Sequence, residues 1–373
     1  MQHKLSIITS VTNDLSNDQR VKKVSQSLIN QGHNVLAVGR QLHKNKKEIK
    51  LPFPYKLLGV WPKQGPLFYF FYNIHLFLFI IRQQVDVLIA NDLDTLLANY
   101  LAAKWKKIPL IYDSHEYFTE VPELAESGLK KKIWLGIEKF CVPKVDAAIT
   151  VGKKIAAIYE KEYNLPFEVI RNFPLKEKNN SKTTKQDDTR FILYQGAINK
   201  DRGLKETVEA FSFIKESDLQ FWIAGLGDEL EELQQLIAVK GLGDRVKLLG
   251  HVPMDELKDL TVKARIGLSV ERLESLNYRY ALPNKVFDYI HAGVPVLYSP
   301  FEELTLLLKE KSIGQELVSH SPEQMASQIQ SMLQHKSYSE WVSNCKELAV
   351  EFSWEKEEVK LIRLFNLASK SSR

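Results

Sequence analysis

Three groups of polar residues stand where short apolar runs end, and their types suit acid–base or anion chemistry. The first is Asp113-Ser-His-Glu116, directly after the run Leu110–Tyr112. A histidine at the carboxyl end of a strand is placed for proton transfer or for holding a substrate hydroxyl. Two flanking acids could orient its ring or raise its pKa. A histidine that simply hydrogen-bonds a loop fits the same four residues. Asn91-Asp92-Leu-Asp94 ends the preceding run and would sit beside it. Zinc suits these segments poorly, because a histidine with no second spaced histidine offers too few ligands.

The second group begins at Gly196, which closes a run and leads through Asn199-Lys-Asp-Arg202-Gly203 into a helical pattern. That order puts Arg202 and backbone amides at a helix start, where side chain and dipole both favour an anion. Gly225-Leu-Gly227-Asp228 ends the next run and allows close backbone approach, and His251-Val-Pro253 ends the one after. The densest group runs from Tyr278 through Tyr280, Pro283, Asn284, Lys285 and Asp288 to Gly293-Val-Pro295. Pro283 suits a first helical turn, which would put Asn284 and Lys285 at the positive end and Asp288 one turn along. Phosphate outside and ribose hydroxyls inside would match such a site, although a surface helix with ordinary caps uses the same residues. Neither GxGxxG nor GxxxxGK[ST] occurs, so hydride transfer and ATP hydrolysis lose most of their support.

Positioning these groups requires strands that alternate with helices. In the front half the strand candidates are Leu5–Thr9, Val35–Val38, Val85–Ala90, Leu110–Tyr112, Ala147–Val151 and Glu168–Ile170. From Val21 the apolar positions Val24, Leu28 and Ile29 keep one helical stripe, and Gly32 ends it. Leu175–Arg190 holds one apolar residue and no period, so it reads as a solvated linker or surface excursion. Alternation then resumes at Phe191–Tyr194, Phe221–Ala224, Val246–Leu249, Ile266–Val270 and Val294–Tyr298, with Leu204, Val208, Phe211 and Ile214 on a helical face between. Two α/β halves with parallel sheets follow. The closing segment Trp354–Ala368, with Val359, Ile362 and Phe365 on one face, could close either half.

Across 373 residues, 44% hydrophobic and 26% charged residues exclude a disordered, collagen-like or polytopic membrane chain. Cys141 and Cys345 form neither a disulfide framework nor a CxxC motif, so a reducing compartment fits. The apolar stretch Leu5–Ile8 is too short for a signal-peptide core, and a cytoplasmic location is expected. The net charge of +5 is uneven: residues 1–172 carry +8 and the remainder −3. A basic front half suits a phospholipid surface or a phosphorylated substrate, and solvated lysines on helix faces would give the same excess. Leu67–Ile81 is apolar but shorter than the roughly 20 residues of a membrane-spanning helix. It reads either as a buried or partly exposed helix or as a surface that dips into a lipid interface. Lys44, Lys46, Lys47, Lys50, Lys130, Lys131 and Lys132 would help the second.

The segment Asp288-Tyr-Ile-His-Ala-Gly-Val-Pro-Val resembles the EAMAAGxPV stretch of family-4-like glycosyltransferases with the GT-B fold, and PNKxFDYxxAGxPV is similar to a variant among bacterial members that build surface polysaccharides. Other stretches agree in order. Asn17-Asp-Gln-Arg20-Val, Leu28 and Gly32-His-Asn-Val35 resemble the family's opening helix and second strand, and Asp113-Ser-His-Glu116 its acceptor-side histidine segment. Gly196 through Gly203 resembles its phosphate loop and Ala224-Gly-Leu-Gly227 its AGxG turn, so the likeness covers roughly residues 5–365.

The resemblance implies two facing Rossmann-like domains with a cleft between them. The acceptor domain would be residues 1–172, with a final helix of about 355–373 crossing back, and the nucleotide-sugar domain residues 173–354. It implies retaining, metal-independent transfer of a sugar from a nucleoside-diphosphate sugar to a lipid-linked or polysaccharide acceptor, without a cofactor or nucleic-acid partner, and with an anionic membrane surface as a candidate partner. Arg202 and Lys285 would neutralise the diphosphate and Asp288 would hold the ribose, with Gly196, Gly225, Gly227, His251, Tyr280 and Asn284 also on the donor side. His115 would act near the reacting sugar, with Arg20, Asp92 and Glu116 on the acceptor side. Tyr280 replaces the first glutamate of the family's E-x7-E motif, so Glu271 or Glu274 would have to supply any carboxylate contact to the sugar. Ala197 replaces an arginine common after the second domain's first strand. A sugar-nucleotide epimerase or hydrolase, or a nucleotide-sugar-binding subunit without catalysis, are the alternatives.

Overall fold

A computed structural model of the chain describes residues 4–16, 18–40, 51–121, 124, 127–176, 189–308 and 311–370. Asn17, the lysines at 44, 46, 47 and 50, and residues 177–188 of the linker stretch lie outside the described residues. The chain forms two compact units, Met1–Asn172 with Trp354–Arg373, and Phe173–Ser353.

In the first unit, seven strands form one sheet: β1 (Ser6–Asp14), β2 (Asn34–Arg40), β3 (Tyr55–Leu57), β4 (Val87–Asn91), β5 (Leu110–Ser114), β6 (Ala147–Thr150) and β7 (Phe167–Val169). Their order is β3-β2-β1-β4-β5-β6-β7. Every pair is parallel, with Asn91 opposite Asp113 at the carboxyl ends of β4 and β5. The central strands are buried along their whole length, as helices on both faces of a parallel sheet demand, which is why they read as apolar runs and not as alternation.

The second unit repeats the architecture with β8 (Arg190–Gln195), β9 (Leu219–Ala224), β10 (Val246–Gly250), β11 (Ile266–Ser269), β12 (Val296–Tyr298) and β13 (Gly314–Glu316). Here the order is β10-β9-β8-β11-β12-β13, again all parallel. In each sheet the order reverses beside the first strand, between β1 and β4 and between β8 and β11. Ligands of open α/β sheets bind at that switch, outside the carboxyl ends of the strands.

Several boundaries differ from the sequence reading. β1 continues past Thr9 to Asp14 because Ser10 and Thr12, although polar, are buried and bonded. The Ser10 hydroxyl accepts from the Asn99 amide at 2.6 Å, and the Thr12 hydroxyl donates to Asp94. β3 and β13 are three-residue edge strands with no apolar run to announce them. The helix predicted through Ile214 stops at Ala210, while Phe211 and Ile214 stay buried in the turns beyond.

The last helix, Trp354–Ala368, packs in the first unit, where Trp354, Leu361 and Phe365 share a cluster with Ile7, Val24, Leu28 and Ile111. The Trp354 indole donates to the Ser27 hydroxyl at 2.9 Å, and Glu357 accepts the Arg171 backbone N–H at 2.9 Å. Burying each such side chain stabilises by about 1.5–3 kcal/mol, so the core of the front unit depends on residues from the far end of the chain.

The helix Pro66–Ile81 opens with proline, whose missing N–H costs nothing at that position. It buries Phe68, Tyr72, Leu76 and Ile80, four residues apart, and exposes Leu67, Phe70, Phe71, Ile74 and Leu78 on the other side.

Candidate active site

At the switch point of the first sheet, His115 follows β5 and lies between carboxyl groups. Its backbone N–H donates to Asp92 Oδ1 at 2.8 Å, and its ring Nδ1 lies 3.2 Å from Asp92 Oδ2. The other ring nitrogen, Nε2, is 3.3 Å from Asn91 Oδ1 and 3.6 Å from Asp113 Oδ2. Burial works against a charge on the ring, but Asp92 and then Asp113 outweigh it and lift the pKa to about 9. At neutral pH His115 is therefore an imidazolium with both N–H groups engaged, suited to stabilising negative charge. It is not poised as a base.

Asp92 takes φ +58°, a sparsely populated backbone conformation for a residue with a side chain, and its N–H is tied to the Asp113 carbonyl at 2.9 Å. Asp94, in the first turn of the helix Leu93–Lys106, is buried next to Asp92. Burial, with Asp92 adding to it, raises its carboxyl to about 7.

Arg20, expected on the acceptor side, is buried at 2% exposure. Its Nε and one terminal nitrogen donate to the two oxygens of Asp113 at 2.8 and 2.6 Å, and the other terminal nitrogen donates to the Ile170 carbonyl at 2.8 Å. The guanidinium is thus engaged by Asp113 and the Ile170 carbonyl. Burial would raise the Asp113 carboxyl, but Arg20 and His115 hold it well below the usual carboxylate range. Glu116 is half-buried, and its carbonyl accepts from the Ser114 hydroxyl at 2.8 Å.

In the second unit, Arg202 and Lys285 converge. Lys285 Nζ donates to Glu271 Oε1 at 2.7 Å, and an Arg202 terminal nitrogen donates to the same oxygen at 3.3 Å. The Lys285 ammonium lies 4.0 Å from the centre of the Tyr194 ring, and the Arg202 guanidinium 4.8 Å from that of Tyr278. Arg202 Nε is buried without a hydrogen-bond acceptor, which leaves one strong donor unspent. Burial lowers the Lys285 pKa, Arg202 adds to that, and Glu271 opposes it; the result is about 8. For Glu271 burial works the other way, yet the two cations keep its pKa below the usual value.

Three donor-side expectations change. Helix-dipole support for Arg202 is weak, since the helix Leu204–Ala210 has seven residues and starts after Gly203. Gly225 and Gly227 allow close approach of two loops to one another: a β-carbon at Gly225 would meet the Gly196 carbonyl oxygen at 1.8 Å, and one at Gly227 the Ile198 carbonyl oxygen at 2.2 Å. Asp288 is turned away from the Lys285–Glu271 pair. It accepts from the Gln195 amide at 2.9 Å and lines a separate cavity of about 50 Å³ with Thr261, Met254 and His291. Asn284 and His251 are exposed and Tyr280 is half-buried at the end of the short helix Leu276–Arg279. Of the two carboxylates that could replace the one missing at Tyr280, Glu271 sits in the cation cluster. Glu274 lies at the surface, 3.6 Å from Arg272.

The sequence reading set Asn91 beside the His115 segment but missed Gln195. Gln195 is the last residue of the apolar strand β8, and a polar group at that position was the available signal. Among the described residues no group of three or more His, Cys, Asp or Glu side chains is arranged to hold a metal ion.

Residues 19–173 match the family model described as Glycosyltransferase Family 4, and residues 176–348 match Glycosyl transferases group 1. The chain is 24% identical over 208 residues to an uncharacterised glycosyltransferase of Methanocaldococcus jannaschii, covering 54% of this chain and 52% of that one. It is 23% identical over 194 residues to the alpha-D-kanosaminyltransferase of Streptomyces kanamyceticus, covering 48% and 50%. The chain thus spans about half the length of the curated relatives it matches. Among solved structures, Anabaena Alr3699/HepE in complex with UDP and glucose superposes with a TM-score of 0.75 at 14% identity, over 97% of this chain and 99% of that one. Sucrose-phosphate synthase from Thermosynechococcus elongatus gives 0.75 at 15% identity, over 97% and 98%.

Proposed function

We propose that this α/β chain of the GT-B fold, whose two halves match two glycosyltransferase family models, is a retaining glycosyltransferase that takes its sugar from a nucleoside diphosphate. The observation that carries the reading is the pair of buried Lys285 and half-buried Arg202 beside the loop that starts at Gly196, with an Arg202 N–H still lacking an acceptor. The neighbour from Anabaena binds UDP in the matching fold, which supports the same class of donor here.

Sugar transfer is slow because charge develops on the leaving phosphate and on an oxocarbenium-like sugar. Two fixed cations stabilise the first without reorganising, and such preorganised electrostatics are often the largest catalytic term. In the proposed mechanism no metal ion is needed, and the leaving phosphate assists deprotonation of the acceptor hydroxyl on the same face. The His115 imidazolium, fixed by Asp92 and Asp113, would act through its charge, stabilising negative charge that develops on the acceptor oxygen. Asp288 would take the ribose hydroxyls from the cavity it lines with Thr261 and His291.

The test is a thermal-shift screen against nucleoside diphosphates and their sugars, followed by mass spectrometry of the products with lipid-linked and oligosaccharide acceptors. A ligand at 100 times its Kd should add about 2.7 kcal/mol. Transfer to an acceptor supports the reading. Free sugar or an epimerised donor without transfer would move it to a hydrolase or epimerase, and binding without turnover to a non-catalytic subunit.

A lipid-linked acceptor at a membrane surface is the preferred case. No helix among the described residues is long and apolar enough to cross a membrane. Three helices of the first unit nevertheless touch and carry exposed apolar residues: Pro66–Ile81, Leu93–Lys106 and Gly128–Cys141. Tyr69 meets Trp134 at 5.3 Å and Tyr100 meets Phe140 at 5.5 Å between ring centres. Phe70, Trp105 and Leu129 are among their exposed side chains, as are Lys104, Lys130, Lys132 and Lys139. The acids on these helices, Asp94 and Glu138, are both buried. An apolar and basic surface of this kind suits anionic lipid. The protein should float with phosphatidylglycerol vesicles. Replacing Lys130 and Lys132 by glutamine should weaken binding about 30-fold, at about 1 kcal/mol per lysine. Equal flotation of the variant would remove these lysines from the contact.

A further inference from the structure

Glu271 is held from both ends. One carboxylate oxygen, Oε1, accepts from Lys285 at 2.7 Å and from Arg202 at 3.3 Å, and the other accepts from the Ser269 hydroxyl at 2.8 Å. Its backbone carbonyl accepts from the Ser299 hydroxyl at 2.5 Å. With 1% exposure and three hydrogen bonds already on its carboxylate, it lacks the room to take the sugar hydroxyls that the glutamate missing at Tyr280 would have taken.

We infer that Glu271 is a positioning residue, a fixed internal counter-ion that holds Lys285 and Arg202 together for an incoming diphosphate. The inference rests on the donor-site reading above and adds a residue to it. Two cations confined in a buried site repel each other, and one carboxylate shared between them removes that repulsion while leaving a net charge of +1 for the anion. The groups facing the Lys285 ammonium are Glu271, Arg202 and the Tyr194 ring, and beyond them Gly196, where a β-carbon would stand 3.6 Å from Nζ. Asp288, on the same helix as Lys285, is bonded to Gln195. Glu271 is therefore the carboxylate that opposes the discharge of Lys285 by burial.

Calorimetric titration with inorganic pyrophosphate, from pH 6 to 10, tests this without knowledge of the donor base. In the wild type the alkaline loss of binding should centre near the Lys285 pKa of about 8, and Lys285→Met should lack that limb. In Glu271→Gln the limb should move at least one pH unit lower, because the lysine has lost its counter-ion. A carboxylate that merely filled space would leave the limb in place. Ser269→Ala keeps the carboxylate but releases Oε2, and it should shift the limb in the same direction by less. An unmoved limb in whichever of these two variants folds would overturn the assignment. No binding of pyrophosphate by the wild type at millimolar concentration would instead remove the anion site itself, and the donor reading with it.

Discussion

Arg20→Ala should destabilise the first unit by about 3–5 kcal/mol, the usual cost of leaving one partner of a buried ion pair uncompensated. The pair is bidentate, and Arg20 and Asp113 are 2% and 1% exposed, so solvent cannot replace the lost guanidinium. Arg20 also ties the helix Gln19–Asn30 to the Ile170 carbonyl, beyond β7. Denaturant midpoints for the wild type and the variant measure the difference directly. The sign of its pH dependence follows from Asp113, whose folded pKa is depressed. The stability it contributes is present above the unfolded carboxylate pKa and lost as pH falls through the folded value. The gap between wild type and variant should therefore narrow in acid. Arg20→Met combined with Asp113→Leu removes both charges and should recover much of the loss, while depriving His115 of one of its two carboxylates. A single-variant effect under about 1 kcal/mol would mean that water reaches the pair.

Lys285→Met should reduce sugar transfer by about 100–1,000-fold in kcat/KM, corresponding to about 2.7–4 kcal/mol of transition-state stabilisation, by analogy with the loss of one oxyanion donor. The estimate applies because the ammonium is preorganised, 2.7 Å from Glu271 and nearly excluded from water. An interaction so fixed cannot be rebuilt by solvent at the moment the phosphate leaves. The loss should appear mainly in kcat if the cation works on the leaving group, and mainly in KM if it only binds the ground state. Rates within a few-fold of the wild type, with the donor and acceptor found in the screen, would dismiss the diphosphate assignment for Lys285. Arg202→Ala should fall in the same range, and because both cations share one carboxylate oxygen the two losses should not add.

Much of the architecture was legible because it rests on periodicity and composition. Parallel strands buried on both faces must be apolar runs of four to six residues, so β4, β5, β6, β8, β9 and β11 stood out, as did the amphipathic helices between them. The positions of His115 and Arg202 beyond strand ends could be read for the same reason, since in this architecture chemistry gathers where strands stop, and Lys285 could be read from the helix start at Pro283. The polar extension of β1 to Asp14 was hidden. Its Ser10 and Thr12 look like a loop until Asn99 and Asp94, more than 80 residues later, supply their hydrogen bonds.

By itself, the sequence determined that the chain is two α/β halves, and it named the residues able to carry charge at their strand ends. Only the tertiary structure decided how those charges are spent. Arg20 turned out to be consumed by Asp113, 93 positions away, and Lys285 and Arg202 are gathered onto Glu271 from 14 and 69 positions away. Asp288, three residues from Lys285 on one helix, is bonded instead to Gln195 of β8. Local order sets which face a side chain leaves its element by. A buried charge, however, must find its counter-ion wherever the fold brings one within about 3 Å, and that pairing is written in no single stretch of the chain.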